Sequence, residues 1–170
     1  GVIGLGRLGA QVAKVGLAFN MKVLAWSQNL TQERADEVGV TLVSKDELLA
    51  QSDVISIHLV LSERTRHLLG ASELAAMKPS AYLVNTSRGP IVDEDALVDA
   101  LRADTIAGAG LDVFEVEPLP LEHPFRQLEN TVITPHVGYV TTETYETFYG
   151  EALEDIQAWL KGAPIRIINP

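Results

Sequence analysis

From one end of the chain to the other, short apolar runs alternate with amphipathic stretches whose apolar residues recur at helical spacing. Few folds accept that rhythm. Strands buried on both faces read as continuous apolar runs, and parallel strands need crossovers long enough to hold a helix. Val2-Ile3, Val23 to Trp26, Val40 to Val43, Val54 to Ile57, Tyr82 to Val84, Ile106 to Leu111 and Val132-Ile133 read as the strands. Helices are expected after the first glycines, with Val12, Val15, Ala18 and Phe19 as the apolar face, and from Thr31 to about Val38. Others follow Ser44, run from Ser72 to Met77, from Asp93 to Ala103, and from about Thr142 to Lys161. Ser44-Lys45-Asp46-Glu47 is a Ser-x-x-Glu capping box. The small residues between Ile106 and Leu111 imply that something packs closely on that strand. The pattern predicts an α/β fold of one domain, residues 1–170, built on a doubly wound parallel sheet covered on both faces, a Rossmann fold. Crossovers are right-handed in such a fold, and ligands bind beyond the carboxyl ends of the strands.

A chain of 170 residues can close one hydrophobic core, and 46% hydrophobic with 21% charged residues is the balance of a soluble globular protein. The absence of cysteine excludes disulfides and thiolate metal sites and fits a reducing compartment, the cytoplasm. A formal net charge of −10 speaks against nucleic acid, which needs concentrated Lys and Arg, and against anionic membrane surfaces. No apolar run reaches the length of a membrane span. No cluster has metal-ligand spacing, so no metal is expected. No nucleophile elbow supports a Ser–His–Asp site. The chain opens directly on Gly1-Val2-Ile3-Gly4, which reads as a domain cut from a longer protein.

Gly4-Leu5-Gly6-Arg7-Leu8-Gly9 is a G-x-G-x-x-G between a strand and a helix, the context that gives this common pattern meaning. The first glycine permits the tight turn, the second lets backbone approach a pyrophosphate, and the third lets helix meet strand. Amides at the helix start then face the anion. An acidic residue about twenty positions on would hold the adenosine ribose. Trp26-Ser27-Gln28-Asn29 stands there instead, so Ser27 and Gln28 are the candidate ribose contacts. Without a carboxylate a 2′-phosphate is not repelled, and without a neighbouring arginine it is not drawn in. NAD and NADP both remain open, with a lean to NADP.

Three apolar strands run straight into distinctive polar residues. Tyr82 to Val84 continues as Asn85-Thr86-Ser87-Arg88-Gly89, Ile106 to Leu111 ends at Asp112 with Glu117 in the next loop, and Val132 to Pro135 ends at His136. In a parallel sheet these ends share one edge with the glycine turn. The set has a coherent chemistry: Arg88 can fork a substrate carboxylate. His136 can exchange a proton near neutral pH, and Glu117 can fix its tautomer and favour its protonated form. The difficult step, hydride transfer, belongs to the cofactor. His58 also ends a strand at this edge and is expected to line the cleft or to serve structure, whereas His67 and His123 read as surface residues.

These residues resemble the D-isomer-specific 2-hydroxyacid dehydrogenases, in their nucleotide-binding domain. The resemblance rests on Gly4 to Gly9, Met77-Lys78-Pro79, Val84 to Gly89, Val92-Asp93-Glu94, Gly110 to Phe114, Glu117-Pro118 and Thr134-Pro135-His136, and covers nearly the whole chain. It implies an oxidoreductase acting on a small 2-hydroxy or 2-keto acid, with Arg88 on the substrate and His136 with Glu117 as acid/base. It implies that Arg7 and Leu8 meet the pyrophosphate, that Asp112 contacts the nicotinamide carboxamide, and that Thr86, Ser87 and Gly138 flank the nicotinamide. It implies a homodimer, and a separate substrate domain that this chain lacks, so that the chain alone turns over weakly or not at all. Val60 stands where the family shows proline, Tyr139 follows the histidine, and Ser27 replaces the usual aspartate. The competing readings are a catalytically silent NAD(P)-sensing or scaffold relative, which would not need Arg88, Glu117 and His136 together, and a dehydrogenase for formate or another non-hydroxyacid anion.

Overall fold

The structure is a computed structural model that describes residues 1–168; residues 169 and 170 of the expected domain lie outside the described residues. Gly1–His136 and Val137–Pro170 form two compact units. The first holds β1 (Val2–Ile3), β2 (Leu24–Trp26), β3 (Thr41–Leu42), β4 (Val54–Ile57), β5 (Tyr82–Asn85), β6 (Gly108–Leu111) and β7 (Thr131–Ile133). Its helices are α1 (Arg7–Ala18), α2 (Gln32–Val38), α3 (Lys45–Gln51), α4 (Ala71–Ala75) and α5 (Glu94–Arg102). All seven strands pair in parallel, in the order β3-β2-β1-β4-β5-β6-β7. The order reverses between β1 and β4, so the doubly wound reading holds, and the crevice at that switch point is where such sheets bind ligands.

Alternate residues of the strands serve two cores. Val2, Val23 and Ala25 pack with Ala10, Ala13, Ala35 and Val38 of α1 and α2. Ile3, Leu24, Ile55, Ile57 and Leu83 pack with Leu48, Leu74, Leu97 and Leu101 of α3, α4 and α5. Cover on both faces is incomplete over β4, β5 and β7. On the α1 side, Val54, Tyr82 and Val132 of β4, β5 and β7 remain 45, 52 and 71% exposed. The reason is topological: α4 and α5 join successive parallel strands in one direction, and both land on the same face.

The apolar face expected for α1 is also corrected. Gly9, Ala10 and Ala13 are its buried residues, while Val12, Val15 and Phe19 are exposed. Where the helix leaves the glycine turn it lies close to the sheet, so small residues form the contact there, and a larger one, Leu17, packs only at the far end. The capping box forms as read, with the Ser44 hydroxyl accepting the Glu47 N–H at 3.2 Å and Glu47 accepting the Ser44 N–H at 2.9 Å. Close packing on β6 is supplied by Tyr82, whose ring lies over Gly108. In the second unit, α6 (Thr142–Leu160) is capped by Thr141, and Arg166 donates to Glu154 and Asp155 at 2.7 and 2.8 Å. No helix among the described residues is long and apolar enough to cross a membrane.

α3 and α4 are clipped together by Lys45 and Glu73 at 2.8 Å. The Lys45 ammonium is the largest of the influences that hold the Glu73 carboxyl down at about 2, below the ordinary 4.5. A depressed carboxyl stabilises the fold above its unfolded value, and that stabilisation drains away as pH falls from 4.5 through about 2. Glu73→Gln is therefore expected to lower stability by about 1 kcal/mol at neutral pH, the scale of a partly exposed pair. Chemical denaturation at pH 7 and pH 2 checks this: the gap between the two proteins should close in acid.

Candidate active site

Register fixes the site. Ile3, Ile57, Asn85, Leu111 and Ile133 sit side by side at the carboxyl ends of β1, β4, β5, β6 and β7. The next residue of each strand, Gly4, His58, Thr86, Asp112 and Thr134, therefore opens onto one edge.

At β1 the chain turns through Gly4, whose φ of +99° is a left-handed value that side chains resist. A Cβ on Gly9 would overlap the Gly4 carbonyl, so the third glycine is required by the fold itself. Gly6 is different, because a Cβ there would meet nothing within 4 Å. The fold leaves that space open, and a dinucleotide needs it open. Gly6 caps α1 without a side-chain bond, and the first turn of α1 carries no carboxylate. Its positive end is left for an external anion, so the residues present fit a pyrophosphate. A cleft of about 460 Å³ begins here, lined by Gly6, Arg7, Leu8, His58, Thr86, Ser87 and Arg88 among others. Ser27 and Gln28 follow β2 directly, beside the turn, where Gly4 N–H donates to Trp26 O at 2.8 Å.

Arg88 is carried on a turn held by a residue that the sequence reading passed over. Asn85 is 1% exposed; its amide donates to Arg88 O at 2.9 Å, and its oxygen accepts the Ser87 N–H at 3.0 Å. Ser87 Oγ donates to Ile57 O at 2.7 Å, tying the turn to β4. A buried asparagine ending a strand was the available signal. Behind it, a Cβ on Gly89 would overlap the Phe114 carbonyl, so the Arg88 turn presses on the loop that holds Glu117.

That loop brings the acid and the histidine together. Glu117 Oε2 lies 2.6 Å from His136 Nδ1, and Glu117 Oε1 accepts the Phe114 N–H at 3.0 Å. Burial pushes the Glu117 carboxyl up, but the bonds from His136 and Phe114 and the charges of His136 and Arg88 outweigh it and hold the group below its ordinary value. The carboxylate is ionised beside its histidine. His136 has φ +57°, a left-handed conformation that costs a non-glycine residue about 1–2 kcal/mol. Strain of this kind persists where the surroundings over-determine it.

Asp112 is buried and accepts a bond from Thr134 Oγ1. His58 lines the cleft with Nε2 at 2.9 Å from Ser56 Oγ, and burial lowers its proton affinity. Gly138 falls in the second unit. The expectation for His123 is corrected: it is largely buried, with Nε2 at 3.0 Å from Glu94 Oε1, because its ring packs on Phe125.

The chain is similar to known proteins in sequence and in fold. The profile described as "D-isomer specific 2-hydroxyacid dehydrogenase, NAD binding domain" matches residues 1–138. A glyoxylate reductase of Aeropyrum pernix is 45% identical over 170 residues, covering 99% of this chain and 51% of that protein. A D-3-phosphoglycerate dehydrogenase of Synechocystis is 44% identical, covering 98% of this chain and 30% of its own length. The chain thus spans about half, or less, of these relatives. The crystal structure of a putative D-3-phosphoglycerate dehydrogenase from Ralstonia solanacearum superposes with a TM-score of 0.92 at 42% identity, over 99% of this chain and 50% of that one.

Proposed function

The chain belongs to the D-isomer-specific 2-hydroxyacid dehydrogenases, as their NAD-binding domain, and on that premise we propose that it supplies the cofactor cradle and the acid/base pair for interconverting small 2-hydroxy and 2-keto acids. The observation that carries this reading is the 2.6 Å pair of His136 and Glu117 in the same unit, and at the same sheet edge, as the glycine turn and Arg88. When bound, the nicotinamide supplies or accepts the hydride. Gly4, Gly6, Arg7, Leu8 and Gly9 hold the pyrophosphate, Ser27 and Gln28 the adenosine ribose, and Thr86, Ser87 and Asp112 the nicotinamide end. Arg88 grips the substrate carboxylate. With Nδ1 against Glu117, His136 exchanges its proton through Nε2: it protonates the carbonyl oxygen in reduction and takes the hydroxyl proton in oxidation. Glu117 stays ionised throughout and balances the imidazolium.

The lack of a carboxylate at Ser27 supports NADP at least as well as NAD. The proposed setting is the cytoplasm, which the cysteine-free composition fits, and a homodimer is proposed by family analogy alone. Hydride transfer needs a closed, water-poor cleft, and in this family that cleft lies between two domains, so the 170-residue chain alone should turn over weakly.

A panel of 2-keto acids, assayed on the full-length enzyme with NADH and NADPH separately, tests substrate class and cofactor together; no reduction of any 2-keto acid would end the proposal. In the same assay Arg88→Ala is expected to cost about 2–4 kcal/mol of transition-state binding, the scale of a lost charge-assisted fork. Its cofactor dissociation constant should stay within about twofold, since Arg88 grips substrate rather than dinucleotide. Equal losses in turnover and cofactor binding would remove that role from Arg88.

A further inference from the structure

Glu94, the first residue of α5, and His123 take no part in the chemistry above, yet they complete a polar chain that ends on it. His123 Nδ1 accepts the Phe125 N–H at 3.3 Å, so the neutral ring carries its proton on Nε2, facing Glu94 Oε1 at 3.0 Å. The other Glu94 oxygen accepts the Glu115 N–H at 3.0 Å. One residue earlier, the Phe114 N–H donates to Glu117 Oε1, and Glu117 Oε2 meets His136. Two consecutive amides of one loop are therefore taken by two carboxylates. One belongs to the acid/base pair; the other is anchored to a helix and a histidine.

Apart from the packing of Gly89 on its Phe114–Glu115 peptide, the loop's other tie on that side lies in water. Glu115 to Pro118 are all exposed. The Glu115 carboxylate pairs with Arg66 at 3.2 Å, but both side chains face water, where such a pair is screened. Glu94 and His123 are shielded, at 20 and 16% exposure, and each spends both of its polar atoms on fixed partners. A group shielded and saturated in this way holds geometry rather than exchanging protons with substrate.

We infer that Glu94 and His123 are positioning residues that set Glu117 against His136 by holding the Glu115 amide. The inference rests on the acid/base reading of His136 and goes beyond it by naming what fixes the pair. Misplacing a catalytic group by a fraction of an ångström is enough to cost turnover without weakening ligand binding.

The test compares E94M, E94Q, H123L and H136N in the full-length enzyme, reading kcat, KM for the 2-keto acid, NADH dissociation constant and melting temperature. Methionine matches the size of Glu94 but offers no acceptor, whereas glutamine keeps an oxygen for the Glu115 amide. E94M is expected to lower kcat about tenfold to a hundredfold with KM and NADH binding within about twofold, while E94Q keeps kcat within about threefold. H123L, like E94Q, gives up the bond between Glu94 and His123 but leaves the Glu115 amide its acceptor, so it should lower kcat by less than E94M does, and full kcat there overturns the role given to His123. Full kcat in E94M overturns the inference, as do equal losses in E94M and E94Q, or losses of kcat, KM and NADH affinity in step, which mark general loosening. H136N separates the two readings. Undiminished turnover in H136N removes the acid/base assignment and this inference with it; lost turnover there with E94M intact removes the positioning alone.

Discussion

Replacing His136 with asparagine is expected to lower kcat/KM for 2-keto acid reduction by about two to four orders of magnitude, the range that positioned acid–base catalysis supplies. Asparagine is chosen because the site is strained. His136 sits at φ +57°, and asparagine is among the few residues that accept that conformation readily. The backbone therefore has no reason to move, and the side-chain amide can still donate toward Glu117. What is lost is the ring nitrogen that gives and takes the substrate's proton. Melting temperature and cofactor affinity should match the parent, and a matched fold with undiminished turnover would dismiss His136 as the proton donor. Glu117→Gln should cost less, since it keeps a neutral partner for Nδ1 and removes only the charge. The pH dependence follows from the Glu117 carboxyl, which lies below its ordinary 4.5. Its pairing with His136 is intact above that value and is lost as pH falls through the lower folded value. Above 4.5, then, any acid loss of activity belongs to another group.

How much of this was legible in the sequence depends on which forces set each feature. The strands are legible because they are apolar on both faces, even over β4, β5 and β7, where one face stays partly exposed. The strand-end residues were readable because parallel topology sends Thr86, Asp112 and Thr134 to one edge whatever the loops do. The contact face of α1 is not legible from its apolar residues, because the glycine turn holds the start of the helix so close that Gly9, Ala10 and Ala13 are the residues buried beneath it, with Leu17 packed at the far end. The exposed α1-side residues of β4, β5 and β7 are not legible because alternation within a strand says which residues could be buried, not whether an element arrives to bury them. Asn85 and Glu94 were passed over for a related reason. Their partners are the backbone groups of Arg88, Ser87 and Glu115, and no side-chain pattern announces a bond to a carbonyl or an amide. His123 read as a surface residue because nothing local to it shows that Glu94, 29 positions earlier, comes back to meet it.

The glycine turn allows fold and ligand to be tested apart, because two of its glycines are there for different reasons. Gly9→Ala would drive a methyl group into the Gly4 carbonyl, with the His58 Cβ at 3.3 Å behind it. Neither the carbonyl nor the β1 backbone can step aside, so α1 must lift from the sheet. Overpacking of this kind costs about 1–3 kcal/mol or more, and each kcal/mol lowers the melting temperature of a domain this size by about 2–4 °C. Dinucleotide affinity should fall with it, since the amides of α1 move with the helix. Gly6→Ala meets no protein atom, and its φ of −74° suits alanine, so the melting temperature should not change. If a pyrophosphate lies against that backbone, the methyl group holds it off, and affinity for NADH and NADPH should fall at least about tenfold, or 1.4 kcal/mol. Calorimetric melting and titration with each cofactor measure both effects. A Gly6→Ala protein that binds as tightly as the parent would mean that the open space at Gly6 is not where the phosphates lie, and the cradle would have to be sought elsewhere along the strand ends.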